Sequence, residues 1–175
     1  MKSIVSLAVL LACLSPAALA GQSEQISAQA KAQSIHARAL VLDTHLDTPL
    51  LFARPGWDIM DRHSADADFS YVDYPRMVDG GLDGGFWVIW TAQGERDLAG
   101  KRKARDAGLR RLMDIREMVA AHRDHFEIAL RADDAQRIVN AGKRVVYISM
   151  ENASPLATDP SLLETYYALG LRMLG

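Results

Sequence analysis

Apolar and β-branched residues form three short runs that predict buried strands. The first run begins at residues 40–42 and leads into the polar segment 43–49, the second covers residues 84–90, and the third covers residues 144–150. The second and third runs lack an alternation of apolar and polar residues, which is typical of strands covered on both faces. Because these runs alternate with segments of helical spacing, the pattern predicts an α/β fold with a parallel sheet.

Helical spacing of apolar residues marks four further segments. They cover residues 23–39, 95–124, 133–141 and 159–171. The second segment predicts one long amphipathic helix, with an interruption at Gly100 as the alternative. The last helix is expected to begin with Asp159 as N-cap and Pro160 as its first residue. Residues 53–80 are rich in Asp, Pro and Gly, so we expect a long irregular loop there.

Two polar residues stand at the end of the first predicted strand. In an extended segment side chains repeat every second residue, so His45 and Asp47 point to the same side and Leu46 points into the core. An imidazole and a carboxylate together suit zinc. From these residues alone the alternative stays open that His45 is a core histidine and Asp47 a loop cap ahead of Pro49.

Glu151 ends the third predicted strand. A carboxylate at a buried strand end must be paired, protonated or bound to a metal. A metal ion is one solution, and an ion pair with a loop arginine such as Arg54 or Arg62 is the other. Because the C-terminal ends of parallel strands meet at one edge, Glu151 is expected in the same cleft as His45.

A second, weaker metal pair is formed by His122 and His125 near the end of the long helix. A histidine near a helix C-terminus is explained more simply by the helix dipole. The charge balance indicates no further partner: Lys+Arg 20 against Asp+Glu 22 gives a net charge of −2. No basic patch of the kind that binds nucleic acid is indicated, so nucleic acid is not expected as a partner.

The N-terminus has the features of a signal peptide. Lys2 precedes an apolar stretch over residues 4–14, and Ala18-Leu19-Ala20 forms a small-x-small cleavage site. We therefore expect residues 1–20 to be removed and the protein to be exported to the periplasm or the extracellular space. The alternative is a lipidated Cys13 that anchors the protein to a membrane, which the bulky Leu11 disfavours.

Length limits the architecture. A closed (β/α)8 barrel needs roughly 250 residues, and this chain has 175. About three βα units therefore form either a small open sheet or one part of a barrel. The single cysteine lies in the predicted signal peptide, so the remaining chain must be held together by a hydrophobic core or a metal.

Four segments resemble the membrane dipeptidase (renal dipeptidase-like) zinc metallopeptidases. Residues 42–49, Leu-Asp-Thr-His-Leu-Asp-Thr-Pro, resemble the opening zinc motif of that family. Further similar segments follow in the family's order at residues 74–81 together with 86–87, at 148–153 and at 166–172. The resemblance implies a (β/α)8 barrel with two zinc ions that hydrolyses dipeptides, of which residues 21–175 would be an incomplete N-terminal part.

The resemblance also implies a division of roles. His45 and Asp47 would hold the first zinc and Glu151 would bridge both, while the remaining zinc and substrate ligands would lie downstream. A hydroxide shared between the ions would attack the peptide carbonyl. Catalytic residues other than metal ligands are not assigned. Asn152-Ala153, where many relatives carry glycines, and Gly84-Gly85, where a glutamine is frequent, depart from the family pattern and bear on substrate preference.

The resulting function hypothesis is a zinc-dependent dipeptidase, and we expect residues 21–175 to be inactive alone. The alternative is a non-catalytic exported binding or scaffolding protein that retains the barrel. The expected partner is a dipeptide substrate. Membrane attachment is expected only through a lipidated Cys13, and a homodimer stays an open alternative.

Overall fold

The computed structural model describes residues 27–175. The predicted signal peptide and Cys13 lie outside the described residues. The described residues divide into two units, residues 27–39 and Leu40–Gly175. In the first unit residues 27–36 are helical (α1), as the sequence predicts for that part of the chain.

The second unit alternates strands with helices. Its strands are β1 (Leu42–Leu46), β2 (Gly84–Trp90), β3 (Phe126–Ile128), β4 (Arg144–Glu151) and β5 (Leu171–Leu174). Its helices are α2 (Ala65–Asp68), α3 (Tyr74–Gly80), α4 (Leu98–Ala121), α5 (Asp134–Asn140) and α6 (Leu162–Ala168). Short 3₁₀ turns follow β1 at Thr48–Leu51 and β4 at Ser154–Leu156.

All five strands form one parallel sheet with β4 at its centre. β1 pairs with β2 and β2 pairs with β4. The other edge of β4 is shared, because β3 pairs with residues 144–146 and β5 pairs with residues 148–150. The C-terminal ends of β1, β2 and β4 therefore lie along the same edge, where Trp90 is in register with Glu151.

Each face of the sheet has its own apolar cluster. On one face, residues of β2 and β4 pack against α4; the cluster includes Trp87, Ile89, Ile148, Met150, Leu112 and Ile115. On the other face, Phe86 stacks on Tyr147 at 5.0 Å between ring centroids, next to Ala135 and Ile138 of α5. The sheet is thus covered on both faces, which explains why β2 and β4 are apolar without alternation.

The sequence prediction for residues 53–80 is wrong in part, because this segment contains α2 and α3. Asp73 caps α3 by accepting a hydrogen bond from the Arg76 N–H, and Pro75 stands in its first turn. These are strong start signals, but α3 has seven residues and buries only Met77. So short a helix has no apolar stripe that periodicity could detect.

Further differences concern element number and boundaries. The sheet has five strands where periodicity predicts three, so the estimate of about three βα units omits β3 and β5. Leu171 belongs to β5 and not to the last helix, which begins at Leu162 with Ser161 as N-cap. α4 runs through Gly100 without interruption. The short helix that ends before Gly142 is confirmed as α5.

A buried carboxylate begins α3. Asp73 is fully buried and accepts hydrogen bonds from the Arg76 N–H at 2.8 Å, the Arg76 Nε at 2.6 Å and the His63 N–H at 2.9 Å. Burial alone would raise the pKa of Asp73, but these hydrogen bonds and the Arg76 charge outweigh it and hold the pKa below its ordinary value. The stabilisation is therefore complete above the unfolded-state pKa of about 3.9 and is lost as the pH falls through the lower folded-state pKa.

We expect Asp73→Asn to lower the free energy of unfolding at pH 7 by about 2 kcal/mol, because a neutral amide loses the charge-assisted hydrogen bonds. Urea denaturation at pH 7 and at several lower pH values measures this, and the difference from wild type should shrink below about pH 3.9. Asp79→Asn, at an exposed carboxylate paired with Arg62, is the control and should change stability by less than about 0.5 kcal/mol. A difference for Asp73→Asn that grows as the pH falls would contradict the assignment.

Candidate metal centre

Three side chains from two strand ends converge at one edge of the sheet. His45 Nε2 lies 3.0 Å from Glu151 Oε2 and 3.5 Å from Asp47 Oδ1. One ligand atom of each residue lies within 4.8 Å of those of the other two. The side chains are about half exposed, 46% for His45 and Glu151 and 57% for Asp47. The structure thus brings together the three residues that the sequence singles out, and metal binding by them stays a prediction.

An irregularity in β1 directs His45 into this cleft. Asp43 pairs with Gly85 and Leu46 with Trp87, so β1 has one residue more than β2 between these two pairs. The Asp43 side chain accepts the His45 N–H at 2.8 Å. A bulge of this kind re-aims a side chain, and bulges are frequent next to active sites. Leu46 is buried in the core, as the sequence predicts.

Asp47 reaches the cleft through a turn. Its backbone is helical (φ −81°, ψ 0°) and it precedes the 3₁₀ turn Thr48–Leu51. The approach of Asp47 to His45 therefore arises from a bulge followed by a turn, and not from the extended alternation that the sequence argument assumes. Thr48 and Pro49 of this turn are buried. Helix α4 holds the turn in place, because Arg111 Nη1 donates a hydrogen bond to the Pro49 carbonyl at 2.5 Å.

The chain is also fixed directly after Glu151. Asn152 adopts a left-handed backbone (φ 65°), which asparagine tolerates better than most residues. Its Nδ2 donates to the Thr91 carbonyl at 2.9 Å, and its Oδ1 accepts from Ser154 Oγ at 2.7 Å. Asn152 therefore ties the end of β4 to the segment after β2. At a position where many members of the resembled family carry glycine, asparagine keeps the left-handed backbone and adds these hydrogen bonds.

The alternatives for the three residues do not hold. Arg54 donates to the Asp68 carbonyl and Arg62 pairs with Asp79, so neither arginine pairs with Glu151. His45 is half exposed and is no core histidine. The Asp47 side chain makes no capping hydrogen bond.

Comparison with known proteins identifies the family. A family model for membrane dipeptidases, peptidase family M19, matches residues 29–175. The chain belongs to this family. The expectation from the sequence motifs is thereby confirmed.

Three relatives show how far the similarity extends. Dipeptidase tcpJ of Claviceps purpurea (strain 20.1) is 26% identical over 122 residues, which is 66% of this chain and 28% of that protein. The crystal structure of the probable dipeptidase PvdM from Pseudomonas aeruginosa has a TM-score of 0.73 and 26% identity over 83% of this chain and 36% of that one. The crystal structure of dipeptidase AC, described as a metallopeptidase of family M19, has a TM-score of 0.64 and 28% identity over 77% of this chain and 41% of that one.

This chain of the membrane dipeptidase family therefore spans less than half the length of each of these relatives. Its parallel sheet and its likeness to their structures confirm the expected fold class, a part of a (β/α)8 barrel. No helix within residues 27–175 is both long and apolar enough to cross a membrane.

Histidines outside the cleft have other partners. His122 Nε2 lies 3.4 Å from Asp58 Oδ1, and His125 Nδ1 lies 3.1 Å from the Tyr74 hydroxyl. The His122 and His125 pair thus gains no third ligand. Within the part of the chain that the structure describes, His45, Asp47 and Glu151 form the only group of three such side chains close enough to hold one metal ion.

Sequence reasoning missed one polar residue beside the centre. Ser149 lies two residues before Glu151 on the same face of β4, is 2% exposed, and its Oγ has no hydrogen-bond partner within residues 27–175. A buried hydroxyl without a partner is unfavourable. The available signal was a single polar residue inside an apolar strand.

Proposed function

We propose that the protein hydrolyses dipeptides with zinc held by His45, Asp47 and Glu151. The observation that carries the proposal is the approach of His45 Nε2 to carboxylate oxygens of both acidic residues, at 3.0 and 3.5 Å, at the C-terminal edge of a parallel sheet. Membership of a dipeptidase family supports the reaction class, and a metallopeptidase among the structural relatives supports metal dependence. The activity is proposed for the whole protein, because this chain spans only part of the relatives' length.

The donor set fits zinc, which binds imidazole nitrogen and carboxylate oxygen at four-coordinate sites. His45 and Asp47 would hold one ion, and Glu151 would contact that ion and a second one, because a carboxylate has two oxygens. Three side chains do not complete the ligand sets of two ions. We propose that the remaining ligands come from outside residues 27–175.

Bound zinc would supply Lewis acidity, lowering the pKa of a coordinated water to about 7 and polarising the peptide carbonyl. The protein's own residues determine where this chemistry takes place. The bulge in β1 and the hydrogen bonds of Asn152 hold His45 and Glu151 in place before substrate binds, so little reorganisation is needed. Because the ligand side chains are half exposed, a substrate can approach them from solvent.

The test compares residues 21–175 with the full-length protein for zinc content and for hydrolysis of a panel of dipeptides. We expect the full-length protein to hydrolyse dipeptides, to lose activity on chelation and to recover it with zinc. Residues 21–175 should show no turnover, because they supply ligands for only one ion.

Two outcomes would contradict parts of this proposal. A full-length protein that carries zinc but cleaves no dipeptide would favour the non-catalytic binding or scaffolding alternative. Turnover by residues 21–175 equal to that of the full-length protein would show that this stretch contains a complete site.

A further inference from the structure

An open cavity of about 450 Å³ lies beside the candidate metal centre. His45 and Asp47 form part of its lining, and Phe69 and Tyr71 form another part. This volume falls within the range of about 300–1,000 Å³ that is typical of small-molecule sites. Phe69 is 76% exposed and Tyr71 is 74% exposed, so two aromatic rings in this cavity are available to a ligand.

Hydrogen bonds hold Asp68, which precedes Phe69, and Ser70, which lies between Phe69 and Tyr71. Ser70 is fully buried; its N–H donates to Asp68 Oδ1 at 2.9 Å, and its Oγ accepts from Trp57 Nε1 at 2.7 Å. The Ser70 carbonyl accepts from Arg76 Nη2 at 2.7 Å. Asp68 Oδ2 lies 2.7 Å from His63 Nδ1. Ser70 is thus held in the interior, whereas the side chains of its two neighbours, Phe69 and Tyr71, stand on the outside and are largely exposed.

The backbone of Phe69 supports the same conclusion. Its φ of 60° and ψ of 22° place it in the left-handed region. Glycine and asparagine adopt this region readily, whereas a bulky residue such as phenylalanine rarely does. The exposed ring gains little from core packing, so packing of the ring does not explain the conformation. The hydrogen bonds at Asp68 and Ser70, on either side of Phe69, hold the backbone in this conformation and so place the Phe69 ring on the cavity side of the loop.

We propose that Phe69 and Tyr71 form an apolar subsite that binds an apolar side chain of the dipeptide, next to the zinc ligands. This inference rests on the proposed function, because it names the class of substrate that the same cleft prefers. Aromatic rings offer a large apolar surface with only two side-chain torsions to restrict, so they bind apolar side chains at a low cost in conformational entropy. The peptide group would lie toward His45 and Asp47, whereas the side chain would lie against the rings.

The experiment measures kcat/KM of the zinc-loaded full-length protein for Gly-Phe, Phe-Gly and Gly-Gly. We expect wild type to prefer one of the two phenylalanine dipeptides to Gly-Gly by about tenfold or more. In the double variant Phe69→Asn, Tyr71→Ser the preference should fall toward one, because kcat/KM for the favoured phenylalanine dipeptide falls much further than kcat/KM for Gly-Gly. Asparagine is chosen because it tolerates the left-handed backbone. The single variant Tyr71→Ser, which leaves Phe69 intact, should lose part of the preference.

Tyr167→Ser removes an exposed aromatic ring that lines a different cavity and should leave the preference unchanged. An unchanged preference in the double variant would overturn the subsite. If the double variant loses thermal stability while its preference stays unchanged, the subsite is also overturned. That result would show that another segment of the protein covers the rings.

The outcome of this experiment is separable from that of the proposed function. If the zinc-loaded protein hydrolyses none of the three dipeptides, the proposed function fails. Calorimetry then measures the dissociation constant of each dipeptide, and the ratio of the constants for Gly-Gly and for the phenylalanine dipeptides tests the subsite. Absence of measurable binding for every dipeptide would overturn the subsite as well.

Discussion

We expect His45→Ala to lower the zinc content and the proposed dipeptidase activity of the full-length protein together, the activity by more than about 100-fold. Residues that only orient a zinc ligand already contribute 10–100-fold to affinity or activity, and removal of the ligand itself has a larger effect. His45 supplies the only nitrogen in the group and lies within 3.5 Å of both carboxylates. Without it, two carboxylates remain, a donor set less suited to zinc. Metal analysis of purified protein and initial rates of dipeptide hydrolysis measure both effects.

His122→Ala is the matched control. His122 pairs with Asp58 and lies outside the group formed by His45, Asp47 and Glu151, so its loss should leave zinc content unchanged. A fully active and fully loaded His45→Ala variant would refute the metal-site assignment. A loss of zinc in His122→Ala would point instead to the pair that His122 forms with His125.

Gly85→Ala destabilises the fold by more than about 4 kcal/mol, a size reserved for severe steric or packing defects. A Cβ at Gly85 would lie 2.3 Å from the Asp43 carbonyl oxygen, which is a backbone atom and cannot turn away. Asp43 and Gly85 are partners in the pairing of β1 with β2. The strands would have to separate at the point where β1 leads to His45, so zinc binding should be lost together with stability.

Urea denaturation measures the loss in Gly85→Ala. Gly94→Ala serves as control, because a Cβ there meets no atom within 4 Å, and its effect should stay within about 0.5 kcal/mol. A loss below about 1 kcal/mol for Gly85→Ala would show that β1 and β2 can move apart at little cost.

Local sequence was sufficient to predict a strand where the strand is long, and to predict a candidate ligand where a polar residue ends the strand. β2 and β4 were found because their residues form nearly continuous apolar and β-branched runs, which predict buried strands. Glu151 was singled out because it is a carboxylate at the end of such a strand, although the structure leaves its side chain about half exposed. The motif around His45 carried the family resemblance, which the comparisons confirm.

Local sequence failed where an element depends on its neighbour. β3 has three residues and β5 has four, too few for a periodic signal. Both exist because β4 offers its free edge to them, one along each half. Local sequence patterns do not predict these pairings. They depend on the backbone donors and acceptors of β4 that stay unpaired after β4 has paired with β2.

The amino-acid sequence by itself determined the parallel α/β class, the family, and the identity of His45, Asp47 and Glu151 as candidate ligands, because apolar runs and the residues that end them are local properties. Only the tertiary structure decided that His45 reaches Glu151 across the intervening strand β2, and that Phe69 and Tyr71 stand beside them. Those distances depend on a bulge in β1, on the register of three strands and on the buried hydrogen bonds of Ser70. The bulge and the register join residues far apart in the chain, and the Ser70 bonds join loop residues without regular spacing, so no periodic pattern encodes them.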